Sequence, residues 1–197
     1  MLNFILSCLT IGLFIACSEQ DKNPSNPQTS QELYRIVAGK VWIYDTERYL
    51  DDSLVYRSAD TLVLDTAQIL WGGAIWTPYV GQTGTYWRNA LEGVWRLKIN
   101  PNYPTGLAEL IYAYPARAGE AWTVPSDDDS VSVVSASEQV TVPAGAFGQC
   151  YYYRFKRADN SRIASVWIQP GVGIVQQSEL VIAGADTLRA TMKLKAY

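Results

Sequence analysis

Two hydrophobic patterns follow one another along this chain. Leu2 to Ala16 is an apolar run ending at Phe14-Ile15-Ala16-Cys17, and polar Ser18-Glu19-Gln20-Asp21-Lys22 follows at once. From Lys40 onward the pattern has a period of two. Thr187 to Lys195 shows it most cleanly: Leu188, Ala190, Met192 and Leu194 point one way, Arg189, Thr191, Lys193 and Lys195 the other. Val94 to Ile99 places Trp95, Leu97 and Ile99 opposite Arg96 and Lys98, and Asp60 to Ile69 alternates in part through Leu62 and Leu64. Val41-Trp42-Ile43-Tyr44 is rich in strand formers. Alternation of this kind marks a strand with one wet and one dry face.

Turn signals recur at short spacing, among them Asp51-Asp52, Gly72-Gly73, Asn100-Pro101-Asn102, Ala144-Gly145 and Asp159-Asn160. They delimit about ten strands with no helical run of useful length between them, and short connections imply antiparallel neighbours. A sheet of that size tends to curl or split. The expected fold is all-β: a single antiparallel meander forming a strongly curved sheet or partly open barrel, with a β-sandwich as the alternative. A short helix over Gln31 to Val37 is the one helical expectation, with Ser30 as its cap and Gly39 just past its end.

The amino-terminal run resembles the signal of bacterial lipoproteins. It has the length of a signal h-region, below the roughly twenty residues a spanning helix needs. The small Ala16 stands at the cut before Cys17. The n-region carries no Lys or Arg, and an ordinary secretory signal is the alternative. The expected organisation is signal peptide over 1–16, lipidated Cys17 with a flexible tether over 17–30, and one β domain over 31–197. The resemblance implies a diacylglyceryl thioether on Cys17, hence a membrane partner and a place in the bacterial cell envelope, at the outer membrane. Two or more acyl chains anchor stably where one binds marginally.

Composition narrows the chemistry. The formal charge of −3 argues against nucleic acid as a partner, because no basic surface is implied. There is no histidine, which removes Ser-His-Asp and Cys-His catalysis and His-ligated zinc or haem. Of three cysteines, Cys8 leaves with the signal and Cys17 takes the lipid; Cys150 then stands alone and reads as a buried, inert thiol. Asp127-Asp128-Asp129 lacks the spacing of a calcium loop and reads as a solvated turn, as does Asp51-Asp52. No cofactor, metal or catalytic residue is expected.

Three segments of the C-terminal half read first as hairpin chemistry. Pro143-Ala144-Gly145 reverses the chain, and Pro170-Gly171 does so again. Gly173 within a strand run points to a bulge or to close packing under a large ring such as Trp167. Together with Tyr114-Pro115 to Trp122, these segments resemble uncharacterised bacterial exported lipoproteins and DUF3108-like periplasmic proteins. The resemblance spans roughly 112–182 and implies an all-β domain in the envelope, with no reaction attached.

With seven Trp, thirteen Tyr and only four Phe, the chain favours rings that carry a polar handle. Trp71, Trp76, Tyr79, Tyr86, Trp87 and Trp95 crowd one window among Gly72, Gly73, Gly81 and Gly84. They are the candidate ligand-binding residues, and a β core with glycine-rich hairpin tips is the plainer account of them. The leading functional expectation is a non-catalytic, membrane-anchored lipoprotein. Its β domain would bind a small apolar or amphipathic ligand or an envelope protein. A carbohydrate-binding accessory module is the alternative, and a carboxylate-dependent hydrolase using Glu92, Glu109 or Glu120 is the second.

Overall fold

The computed structural model describes residues 32–197. The signal over 1–16, Cys17 and the tether lie outside the described residues. Two antiparallel sheets enclose one hydrophobic core. The large sheet has the order β2-β1-β13-β12-β11-β10-β9-β8 and the small one β3-β4-β5-β6-β7. The large sheet begins with β1 (Val41–Leu50) and β2 (Ser53–Val63). The chain then leaves it to build β3 (Ile69–Trp71), β4 (Ala74–Pro78), β5 (Thr85–Ala90), β6 (Gly93–Asn100) and β7 (Tyr103–Ala113). It returns through β8 (Ala121–Val124), a 3-10 turn over Pro125–Asp127, β9 (Asp129–Val142) and β10 (Gly145–Arg157). The sheet ends with β11 (Arg162–Gln169), β12 (Gly173–Ala183) and β13 (Asp186–Ala196). β13 pairs back onto β1, from Tyr44↔Leu194 to Leu50↔Leu188, so the first hairpin and the C-terminal meander form one surface.

The all-β expectation and the strong curvature hold. The thirteen strands of the described residues divide between two sheets because β3–β7 is an inserted meander that curls on itself. Its two edges are tied together by the Trp71 indole N–H, which donates to Thr105 O at 3.1 Å. A Cβ on Gly106 would come within 2.8 Å of Trp71 Nε1, so glycine is what lets that indole lie on β7. Trp76 and Leu97 are buried inside the curl. The small sheet is therefore a half-barrel with its own apolar filling on one side and the shared core on the other.

The shared core contains Trp42, Tyr44, Leu64, Tyr79, Val94, Tyr112, Tyr153 and Phe155. Hydrogen bonds stitch the sheets: the Tyr153 hydroxyl donates to Ala113 O at 2.7 Å, and the Trp122 indole to Leu110 O at 3.0 Å. The predicted helix over Gln31 to Val37 is absent from the described part, which is an irregular strap. Bonds to the two sheets take the Glu32 and Tyr34 carbonyls that a helix would use internally, and Leu33 and Tyr34 are both buried. The strap bonds to both sheets: Gly171 N donates to Glu32 O at 2.7 Å, and Asn89 Nδ2 to Tyr34 O at 2.7 Å. Tyr34 stacks on Trp42, with centroids 5.1 Å apart.

The hairpins read from Pro143-Ala144-Gly145 and Pro170-Gly171 join β9 to β10 and β11 to β12. Gly173 is closely packed, with a register shift beside Trp167, but the rings over it are Tyr34 and Trp42 rather than Trp167. A Cβ at Gly173, where φ is +114°, would collide with the Tyr34 ring.

Candidate functional site

The register of the large sheet places side chains in rows across its inner face. One row runs Val133, Tyr153, Val166, Gln177, Met192, Thr46, Ser58 from β9 to β2. The next runs Val131, Phe155, Ala164, Glu179, Ala190, Arg48, Tyr56. In each row the β9–β11 members are buried and apolar, under the small sheet. The β12, β1 and β2 members turn mostly polar around Met192 and Ala190 of β13, and among the described residues no second layer covers this part of the face.

A groove of about 260 Å³ lies on this uncovered part. Leu188, Ala190 and Met192 of β13 form its apolar side. Thr46 and Arg48 of β1 and Asp60 of β2 face Gln177 and Glu179 of β12. The Asp60 carboxylate accepts from the Ser58 hydroxyl at 2.5 Å, and that bond holds its pKa below the ordinary value. Thr46 Oγ1 is buried near Asp60 but outside hydrogen-bond geometry, and has no other partner. Arg48 lies over the Tyr56 ring, 5.0 Å from its centroid.

Glu179 is fixed from the far side. It pairs with Arg162, whose Nη1 also lies 2.6 Å from Asp129 Oδ2. Arg157 approaches Asp129 at 3.8 Å. Burial pushes the Asp129 carboxyl above its ordinary pKa despite Arg162. A second cluster sits beside the first: Asp127 pairs with Arg96 at 2.7 Å and Lys98 at 2.5 Å, and Glu109 pairs with Arg96 at 3.1 Å. Burial raises the Asp127 pKa, but Lys98 and Arg96 outweigh it and the carboxyl stays lowered. The aspartate run is thus no solvated turn: Asp127 is ion-paired across to the small sheet, Asp129 is buried and paired within the large sheet, and only Asp128 is exposed. The polar face of β6, carrying Arg96 and Lys98, looks toward the large sheet rather than toward water. Alternation marks the strand, whereas the aspartates of the incoming turn decide which face is covered.

Catalysis by the three glutamates finds no common centre. Glu92 and Glu120 are exposed in the connections before β6 and β8, while Glu109 is caged by Arg96 and by the Ser126 N–H and hydroxyl, at 2.7 and 2.5 Å. The Cys150 thiol is buried, and burial pushes its pKa up to about 11, away from the range of a nucleophile at neutral pH. Among the described residues no group of three or more Cys, Asp or Glu side chains is placed to hold a metal ion.

The six aromatic candidates do not share one surface. Tyr79 and Trp87 face the shared core, edge to face with centroids 5.9 Å apart. The Tyr79 hydroxyl donates to that of Tyr34 at 2.5 Å, and burial pushes both phenols up. Trp71, Trp76, Tyr86 and Trp95 belong to the inside of the half-barrel. Trp71 and Trp76 meet edge to face at 5.9 Å, and the Trp76 indole donates to Trp71 O at 3.1 Å. Trp71, Tyr86 and Trp95 keep partial exposure there, and Trp76 is the buried floor.

The groove residues Thr46, Arg48, Asp60, Gln177 and Glu179 were not singled out from the sequence. A signal was present: β1 keeps one phase through Trp42, Tyr44, Thr46 and Arg48 while its inward residues turn from apolar to polar. Leu188, Ala190 and Met192 were read as a dry face, and they do point inward. Leu188 is nonetheless 38% exposed, because the core stops at Leu194.

No family model matches this chain, and no curated protein matches it. Solved structures similar to it include a presumed lipoprotein from Parabacteroides distasonis ATCC 8503. The identity is 12% and the TM-score 0.38, over 84% of this chain and 97% of that one. Another is a presumed exported protein with a YmcC-like fold from Bacteroides fragilis NCTC 9343. There the identity is 12% and the TM-score 0.37, over 82% of this chain and 96% of that one. Neither likeness identifies a family or an activity.

Proposed function

We propose that this chain is a lipid-anchored protein of the bacterial envelope whose β domain is a non-catalytic carrier or receptor for an amphipathic ligand. The observation that carries the reading is the groove. Apolar Leu188, Ala190 and Met192 lie beside Arg48, Asp60 and Glu179 on a sheet face that the second layer leaves open. Such a wall suits a molecule with an apolar body and a polar end. Asp60 has its pKa lowered by Ser58 and so serves as a fixed charge rather than as a proton donor, and Glu179 is held by Arg162. The address rests on Leu2 to Cys17, with the lipid on Cys17 as the membrane contact and the outer membrane as the proposed site.

The test uses the full chain in detergent and a dansylated fatty acid as probe. Saturable, blue-shifted fluorescence that disappears in Ala190→Trp, with the circular dichroism unchanged, supports the groove. Absence of saturation, or equal binding by Ala190→Trp, rejects it. Labelled palmitate should enter the wild-type protein and not Cys17→Ser, and an unlabelled wild-type protein would remove the address.

A further inference from the structure

We infer that the half-barrel of the small sheet is a second binding site, separate from the groove, for a carboxylate carried on a flat ring, with Arg88 as its cation. Arg88 stands in β5 directly opposite Trp95 of β6. Its guanidinium carbon lies 4.8 Å from the centroid of the Trp76 ring, which is the floor of the curl. Arg88 Nε and Trp95 Nε1 are both buried, and neither has an acceptor among the described residues. Opposed residues on neighbouring strands carry their Cβ atoms about 5 Å apart on one face, so these two donors belong to one place.

The other arginines show how unusual this is. Among the described residues Arg57, Arg96, Arg157, Arg162 and Arg189 each have a carboxylate partner. Arg35, Arg48, Arg117 and Arg154 are exposed to water. Arg88 is half-buried, with its Nε enclosed, and has no carboxylate partner among the described residues. A positive charge and two N–H donors facing no oxygen leave desolvated groups that an anion would satisfy.

The shape of the site selects among anions. A guanidinium offers two parallel N–H groups, which match the two oxygens of a carboxylate. Trp71, Tyr86 and Trp95 on the same face of the small sheet are partly exposed, so a ring bearing that carboxylate would meet aromatic faces there. Aryl acids and sugar acids share this chemistry. A neutral sugar or a small inorganic ion satisfies one half of the site only.

The experiment is an NMR titration of the full chain in detergent micelles, with the tryptophan indoles labelled by nitrogen-15. The Trp95 signal is assigned from its loss in Trp95→Phe. Benzoate and D-glucuronate are the two acid probes; benzyl alcohol and glucose are their neutral counterparts. A saturable shift of the Trp95 indole with either acid, absent with its neutral counterpart and absent in Arg88→Met, supports the site. The acid that acts then names the ring. Arg88→Lys keeps the charge without the fork and should raise the dissociation constant roughly tenfold. No saturable shift with either acid, or the same shift in Arg88→Met, overturns the proposal. If Arg88→Met loses its native indole dispersion, Arg88→Lys decides: unchanged affinity there also overturns it. Failure here leaves the groove reading intact, because the dansylated probe reports on the other sheet.

Discussion

Ala164 and Ala190 stand in the same inward row of the large sheet, two strands apart, with Glu179 between them. Ala164 is 2% exposed, surrounded by Phe155, Val166 and the small sheet's contribution to the core; Ala190 lines an open groove. Residue type, strand phase and backbone are alike at the two positions. What differs is the layer above. Over β8–β11 the small sheet supplies Ile111 and Tyr112, and the strap adds Leu33 and Tyr34 where β1 and β12 begin. Over the far half of β1, β2, β12 and β13 the described residues supply no such layer, and the inward rows change to Ser58, Thr46, Arg48, Gln177 and Glu179. One sheet is thus a core wall in one half and an open, grooved face in the other.

That contrast breaks most readily at the hub. Trp42 is fully buried, stacks on Tyr34 and donates to Val172 O at 2.9 Å. Trp42→Ala should cost roughly 3–5 kcal/mol in urea unfolding; a loss below about 1 kcal/mol would mean that the strap is not part of the core. The matched alanines give the sharpest comparison. Ala164→Trp should cost roughly 3 kcal/mol or more through overpacking, whereas Ala190→Trp should stay within about 1 kcal/mol of wild type and lose the probe. Equal destabilisation at both positions would show that the groove is ordinary core.

Titration separates the halves in opposite directions. Burial raises the Cys150 thiol from 9.0 to about 11 and the Tyr112 phenol from 10.0 to about 12. Their folded values exceed the unfolded ones, so the stability from keeping them neutral is complete below about pH 9. It is lost as pH rises through 11 to 12, about 2–3 kcal/mol for the thiol alone. A urea midpoint that is the same at pH 8 and pH 11.5 would contradict this. In the open half the Ser58 bond lowers the Asp60 pKa. Its contribution is present above the ordinary carboxylate value and fades as pH falls through the lowered one. The smallest effect should come from Thr46→Val. Removing a buried hydroxyl without a partner should stabilise by about 1 kcal/mol; a loss instead would mean that Thr46 does bond Asp60.

Much of the fold was legible along the chain. Leu188, Ala190, Met192 and Leu194 do share the inward face of β13, and the turns at Gly145 and Gly171 lie where their chemistry put them. Asp51 and Asp52 both have positive φ, as a two-residue hairpin demands. The site was less legible. A dense run of tryptophans signals burial, a lined opening, or both, and here neighbouring residues divide between the two faces of one curled sheet. The groove is spread over four strands drawn from both ends of the chain. Arg48 and Glu179 come together only because β13 closes onto β1, a pairing that no local pattern announces.

By itself the sequence determined the local terms: strand phase, turn positions and the lack of any histidine side chain. Each follows from a residue and its near neighbours. The tertiary structure alone decided which inward rows are covered, which half-buried arginine lacks a carboxylate, and that Asp127 and Asp129 are ion-paired. Burial and charge pairing depend on what a second layer brings within a few ångströms, and neither periodicity nor spacing records that distance.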